Sequence, residues 1–179
     1  MSQNIFLDYK KALTLDDYMK NSMEGRRNLG NQIPITVYRL FENSFREELK
    51  ETFGEEEQVR IFRSAGFRAG EYFTRNFLDI TLPINEFLAL LCEKMETLRI
   101  GVLHIEEMDR DTGRFILTVS EDADCSGLPM LGETVCSYDE GFLSGILTTY
   151  TGKPYTALET DCWATGDRVC RFCVEVSEH

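Results

Sequence analysis

Histidine is nearly missing from this sequence, with two residues, and tryptophan occurs once. The two histidines are His104 and His179, and neither lies near a candidate site along the chain, so a histidine general base has little to rest on. Positive charge is scarce too: 19 Lys and Arg face 31 Asp and Glu, a formal net charge of −12. Such a surface repels phosphate backbones and anionic lipid, which argues against binding to nucleic acid or a membrane surface. No apolar run approaches membrane-spanning length, and charges interrupt "MSQNIFLDYKKALTLDDYMK" where a signal peptide would need an apolar core. A cytoplasmic location is therefore expected. Nucleophile motifs, dinucleotide fingerprints and phosphate loops are missing, and "TGKPYT" lacks the glycines of a P-loop. Internal repeats and low-complexity linkers are missing as well.

What is present is apolar mass. Hydrophobic residues make up 42% of the 179 positions, with 12 Phe and 7 Tyr, enough for a core and for lining a cavity. We expect an arm over residues 1–33, with a short helix from Leu13 to Met23, and one domain over 34–179. In "ITVYRLFENSFREELKETFG", Val37, Leu40, Phe41, Ser44, Phe45, Leu49 and Phe53 follow the helical i, i+3, i+4 rule, and Gly54 closes the helix. Its exposed face, with the arm, is a candidate interface. A second helix, about 56–77, carries Ala65, Gly66, Ala69 and Gly70 as a small-residue stripe. Helical glycine costs about 1 kcal/mol against alanine, so the pair needs a reason: close helix packing or room for a ligand. A third helix, 85–98, turns Phe87, Leu88, Leu91 and Met95 inward.

The pattern then switches to period two. "RIGVLHIEEMD" and "GRFILTVSED" read as strands joined by a charged turn, and "VCSYDEGFLSGILTTYTG" as a helix ending at Gly152. A last hairpin, "YTALETDCWATGDRVCRFCVEV", turns at Thr165-Gly166-Asp167. Strands in antiparallel pairs between helices predict an α+β fold, a small antiparallel sheet with helices packed on it. The carboxylate pairs Asp139-Glu140 and Glu106-Glu107 read as solvated. His104 reads as a partly exposed strand residue.

In a reducing compartment, six cysteines read as metal ligands or buried thiols before disulfides. Centring the last turn on Gly166 sets Cys162 opposite Cys170, with Cβ atoms about 5 Å apart on one sheet face. That suits two thiolates on one zinc. Cys173 lies three residues past Cys170, so on a strand it points to the other face, and it reads as a buried thiol. Glu159 lies just upstream, and Cys136 opens a helix, where the macrodipole favours a thiolate. Glu159 is also three residues from Cys162, so it joins only if the strand bends or bulges. Spacing alone leaves a metal site and a set of buried thiols both open.

The C-terminal half, "CSGLPMLGETVCSYDEGFLSGILTTYTGKPYTALETDCWATGDRVCRFCVEV", resembles the vinyl-4-reductase domain family. The signature is a Cys opening a helix, then Glu-x-x-Cys, a Gly-Asp turn and a final Cys-x-Phe strand. "RSAGFRAGEYF" resembles the family's glycine-containing helix. The family includes effector-sensing domains of phenol- and xylene-responsive regulators, a protein once assigned to bacteriochlorophyll vinyl reduction, and stand-alone hydrocarbon-binding proteins. Its fold is related to trafficking-complex subunits and haem-nitric-oxide sensors. In the phenol sensors one zinc is held with the spacing C-x22-E-x2-C-x7-C, which Cys136, Glu159, Cys162 and Cys170 reproduce. The resemblance thus implies one zinc per chain, a closed structural site and a poor Lewis acid.

It also implies a pocket for a small hydrophobic or aromatic ligand. Candidate lining residues are Phe62, Gly66, Gly70, Phe73, Phe77, Phe87, Leu91, Phe115, Phe142 and Trp163. Phe87 and Phe115 fall near the places where the phenol sensors hold the effector hydroxyl with a histidine and a tryptophan. That difference favours a more apolar ligand, with His104 as a candidate polar anchor. The leading function is a zinc-stabilised sensor or carrier acting through a protein partner, homodimeric as relatives commonly are. The alternatives are a tetrapyrrole-handling or vinyl-reductase-related factor, and a lipid-filled assembly protein. An enzyme is the weaker reading.

Overall fold

The computed structural model describes residues 12–22 and 24–177. The chain divides into two units, Met1–Ile33 and Pro34–His179. In the first, α1 (Leu15–Met19) is a single turn closed by a capping box between Thr14 and Asp17. The helix expected from Leu13 to Met23 is thus shorter, and its last residue and His179 lie outside the described residues.

The second unit begins with three helices, α2 (Ile35–Phe53), α3 (Glu55–Phe77) and α4 (Ile84–Thr97). The hairpin β1 (Val102–Asp109) and β2 (Arg114–Ser120) follows, then α5 (Ser137–Thr151), β3 (Tyr155–Asp161) and β4 (Cys170–Val176). The strands form one antiparallel sheet in the order β1-β2-β4-β3. This is the α+β architecture that the strand pairing implied. Among the described residues, no helix is long and apolar enough to cross a membrane.

Helix α5 is the central element. Its residues Leu143, Ile146 and Leu147 are fully buried with Leu117, Phe172 and Val174 of the sheet. Its other side meets α3 backbone to backbone. A Cβ on Gly66 or Gly70 would collide with the Tyr138 or Phe142 carbonyl oxygen, and one on Gly141 or Gly145 with that of Arg63 or Phe67. Each helix therefore carries a Gly-x-x-x-Gly step facing the other, and only glycine permits the approach. Of the two reasons weighed for Gly66 and Gly70, close helix packing accounts for the space, which α5 fills.

The edge strand β3 leaves N–H groups unpaired on one side, a liability in any open sheet. Helix α5 covers them. The amides of Tyr155, Ala157 and Glu159 donate to Thr148 Oγ1 at 3.0 Å, Ser144 Oγ at 2.8 Å and Glu140 Oε1 at 2.9 Å. Four helical residues advance about 6 Å and two strand residues about 6.7 Å, so a stripe at four-residue spacing tracks alternate amides of a strand. Glu140 also receives the Arg63 guanidinium and so ties α3 to the same edge. The expectation that Asp139 and Glu140 are solvated is therefore corrected: both are buried, in the first turn of α5. Glu106 and Glu107 are exposed, as is His104.

The other correction concerns α2. Of its expected inward residues only Leu49 is buried; Leu40 is 71% exposed and Phe41 69%, and Val37, Phe45 and Phe53 are exposed too. The helix packs by its polar side. Tyr38 donates to Asp124 at 2.6 Å, Arg39 to the Ala123 and Asp122 carbonyls, and Arg46 to the Val135 carbonyl. Amphipathic spacing identifies an apolar face but does not say which face meets this domain.

Candidate metal centre

Four cysteines meet at one end of the sheet. Cys125 lies on the loop after β2, Cys136 caps α5, Cys162 follows β3, and Cys170 begins β4. All four are buried, and their sulfurs lie within 4.8 Å of one another. Local rules explain three of the placements. The chain turns through a 3-10 helix, Trp163–Thr165, and Gly166 at φ +103°, bringing Cys162 back beside Cys170. The Cys162 carbonyl accepts the amides of Thr165 at 3.0 Å and Asp167 at 3.1 Å, which fixes the turn. Cys136 occupies the helix-start position expected for it.

The fourth thiol is not where the spacing placed the fourth ligand. A register shift between Glu159 and Asp161 supplies the bulge that Glu159 needed, and turns Glu159 and Cys162 to the same buried face. There the Glu159 Oε2 accepts the Cys136 amide at 2.9 Å, while Oε1 is buried without a partner. Burial pushes the Glu159 carboxyl up to about 8. The sequence reading left out Cys125. Its loop is tied down at long range: the Trp163 indole donates to the Leu128 carbonyl at 3.1 Å, and Leu131 donates to the Ala164 carbonyl at 2.8 Å. Trp163, expected in a ligand pocket, thus anchors the loop that presents Cys125. Cys173 points to the outer face, half-buried and not enclosed as expected, with its thiol 3.3 Å from Glu175.

The sulfur spacing fits a tetrahedral ion. Thiolates about 2.3 Å from zinc stand about 3.8 Å apart along a tetrahedron edge. Cys136 lies 3.8 Å from Cys162 and 3.7 Å from Cys170. Cys125 and Cys170, at 3.0 Å, are closer than such an edge. The donor set is soft and suits zinc before calcium or magnesium.

A polar layer backs the thiols. Asp122, Asp124, Asp139 and Glu42 are all buried, each with one oxygen lacking a partner. Burial, then the charge of Asp124, pushes the Asp122 carboxyl up to about 7. Asp139 is raised well above the usual range by burial and by Asp122 and Asp124. Tyr38 is raised by burial and by Asp124.

The expected ligand-lining residues do not converge on one cavity. Phe62 is buried under Phe45 and Arg46, whose guanidinium lies 4.4 Å from its ring centre. Phe73 packs at 5.2 Å on both Phe77 and Phe142, and Phe77 is 40% exposed. Phe87 stacks on Tyr150 at 3.8 Å beside the buried Leu91. Phe115 alone of the set lines an open depression of about 330 Å³ at the far end of the sheet. Ile84, Met108, Tyr150, Tyr155 and Val176 share its wall, with Arg110 and Lys153 also lining it.

With this geometry in view, the comparisons with known proteins are informative. Residues 115–176, from β2 to the end of β4, match the vinyl-4-reductase domain. The chain belongs to that family. An uncharacterized protein of Methanocaldococcus jannaschii is 23% identical over 158 residues, 88% of this chain and 84% of that protein. A second from the same organism is 36% identical over 55 residues, 31% of this chain and 34% of that protein. Among solved structures, a vinyl-4-reductase family protein from M. jannaschii superposes with a TM-score of 0.62 at 13% identity, covering 95% of this chain and 99% of that one. The phenol-responsive sensory domain of the transcription activator PoxR, solved with phenol, gives 0.58 at 15% identity, over 80% and 75% of the chains. A trafficking protein particle complex subunit 3 from Naegleria fowleri, covalently bound to palmitic acid, gives 0.66 at 9% identity, over 81% and 96%. At these identities the likeness to the solved structures is one of fold.

Proposed function

We propose that this vinyl-4-reductase domain protein is a zinc-stabilised sensor or carrier of a small hydrophobic or aromatic molecule. The observation that carries the metal reading is the buried thiol cluster, with two sulfur–sulfur separations at the tetrahedral edge length. The ion would be held by Cys125, Cys136, Cys162 and Cys170, and when bound it supplies a structural cross-link and not a Lewis acid. Glu159, the ligand expected from spacing, would hold the Cys136 amide and so orient the thiolate at the start of α5.

The two assignments of the fourth ligand are separable. Cys125→Ser should lower zinc affinity at least tenfold, and Glu159→Gln should change it less. The reverse order, measured by competition with a chromophoric chelator, would return the site to three thiolates and a carboxylate.

For the small molecule, the depression at Phe115 is the supported place. At about 330 Å³ it is near the small end of ligand pockets, fitting one aromatic ring or a short alkyl chain better than a tetrapyrrole. PoxR, similar in fold, is described as phenol-responsive, which supports an aromatic ligand. Extraction of the purified protein and mass spectrometry of what is released tests this. Recovery of a porphyrin would favour a tetrapyrrole carrier instead, and a stoichiometric fatty acid the lipid-filled assembly reading.

The exposed apolar face of α2 supports a homodimer, since a contiguous Val37, Leu40, Phe41 and Phe45 face is costly in water. Light scattering on the wild type and on Phe41→Glu checks it. A wild type that is monomeric at micromolar concentration would sink it.

A further inference from the structure

The thiol cluster does not end at its four sulfurs. Asp122, on the loop carrying Cys125, and Asp139, in the first turn of α5, each set one carboxylate oxygen within 4.8 Å of the other and of Cys136 Sγ. Asp122 is only 3% exposed and Asp139 8%. Neither Asp122 Oδ2 nor Asp139 Oδ2 has a hydrogen-bond partner. Ser137 Oγ, the next side chain after Cys136, is also buried and unpartnered.

An uncompensated buried carboxylate costs several kcal/mol, so two of them side by side require a cation or retained protons. The nearby cations are committed elsewhere. Arg46 pairs with Glu42 and the Val135 carbonyl, and Arg39 donates to the backbone carbonyls of Ala123 and Asp122. Among the described residues, no Lys or Arg forms an ion pair with either carboxylate. A divalent ion on four thiolates does not help, because that unit itself keeps a net charge of about −2.

We propose that the metal centre is dinuclear, with Cys136 bridging a first ion in the thiol cluster to a second ion held by Asp122 and Asp139. The inference rests on the reading of the thiol cluster as a zinc site. Carboxylate oxygen and thiolate sulfur are both zinc donors, so one metal serves both positions. Three protein donors leave the second ion one coordination position short of a tetrahedron. Bridging would also draw charge from the Cys136 thiolate and relieve the excess negative charge of the first site.

The test is metal counting on the full chain, saturated with Zn²⁺ and then passed through a desalting column, by inductively coupled plasma mass spectrometry. Two zinc ions per wild-type chain are expected, falling to one in the Asp122→Asn/Asp139→Asn variant. One zinc in the wild type would overturn the dinuclear site while leaving the thiol site standing. None would overturn both. Two retained in the double variant would assign the second ion to exposed carboxylates and overturn the inference. Should the double variant fail to fold, cobalt substitution of the wild type decides. Two Co²⁺ sharing a thiolate give a spin-coupled, diminished paramagnetic resonance signal, whereas isolated ions give the full signal for the cobalt bound.

Discussion

The two ends of β4 are built from opposite materials. At Cys170 the strand enters a layer of buried thiols, carboxylates and the Glu159–Cys136 bond. At Val176 it borders an open depression of Phe115, Tyr150 and Tyr155. Helix α5 spans the same two ends, from Cys136 to Thr151. The closed end concentrates groups that are expensive to bury, so its geometry must be held from several directions: Trp163 and Ala164 hold the Cys125 loop, and Tyr38, Arg39 and Arg46 hold the carboxylate layer. The open end concentrates apolar rings, which need few fixed partners and leave space. A fastener and a receptacle thus lie on one strand.

The comparison breaks first at the metal. Removing the ion with a strong chelator, or replacing Cys162 by Ser, should cost about 4 kcal/mol or more, since losing a structural metal belongs to the largest single effects. For this size that lowers Tm by roughly 8–16 °C, which calorimetry resolves. A metal-independent Tm would mean that the closed end is ordinary core. Next is the α3–α5 crossing. Gly66→Ala or Gly141→Ala forces a methyl against a backbone carbonyl, and should cost about 3 kcal/mol in urea unfolding.

Ser144→Ala sharpens the comparison along the edge strand. It strands the buried Ala157 amide, for a loss of about 2 kcal/mol and faster hydrogen exchange in β3. The smallest effect belongs to the open end. Tyr150→Phe removes the bond from the phenol to the Leu82 carbonyl, and should cost about 1 kcal/mol with metal content unchanged. A loss of zinc in Tyr150→Phe would show that the two ends are not independent.

Much of this was legible in the residues. Gly66 and Gly70 on a helix demanded close approach, and the turn at Gly166 set Cys162 against Cys170 through local geometry. The helix beginning at Cys136 followed from periodicity. Cys125 was not legible, because it reaches the cluster only after the 121–133 loop docks on the hairpin turn through the Leu128 and Ala164 carbonyls. The buried state of Glu140 was equally hidden, since its reasons are an arginine 77 positions away and an amide 19 positions away.

The sequence by itself determined the order of elements, the antiparallel pairing of the strands and three of the four thiols, because these depend on periodicity and turns within a few residues. Only the tertiary structure decided which face of α2 packs inward, what Glu159 bonds to, and that Asp122 and Asp139 sit against Cys136. Those outcomes depend on which groups far apart in the chain share one low-dielectric space, and a pattern along the chain does not encode that.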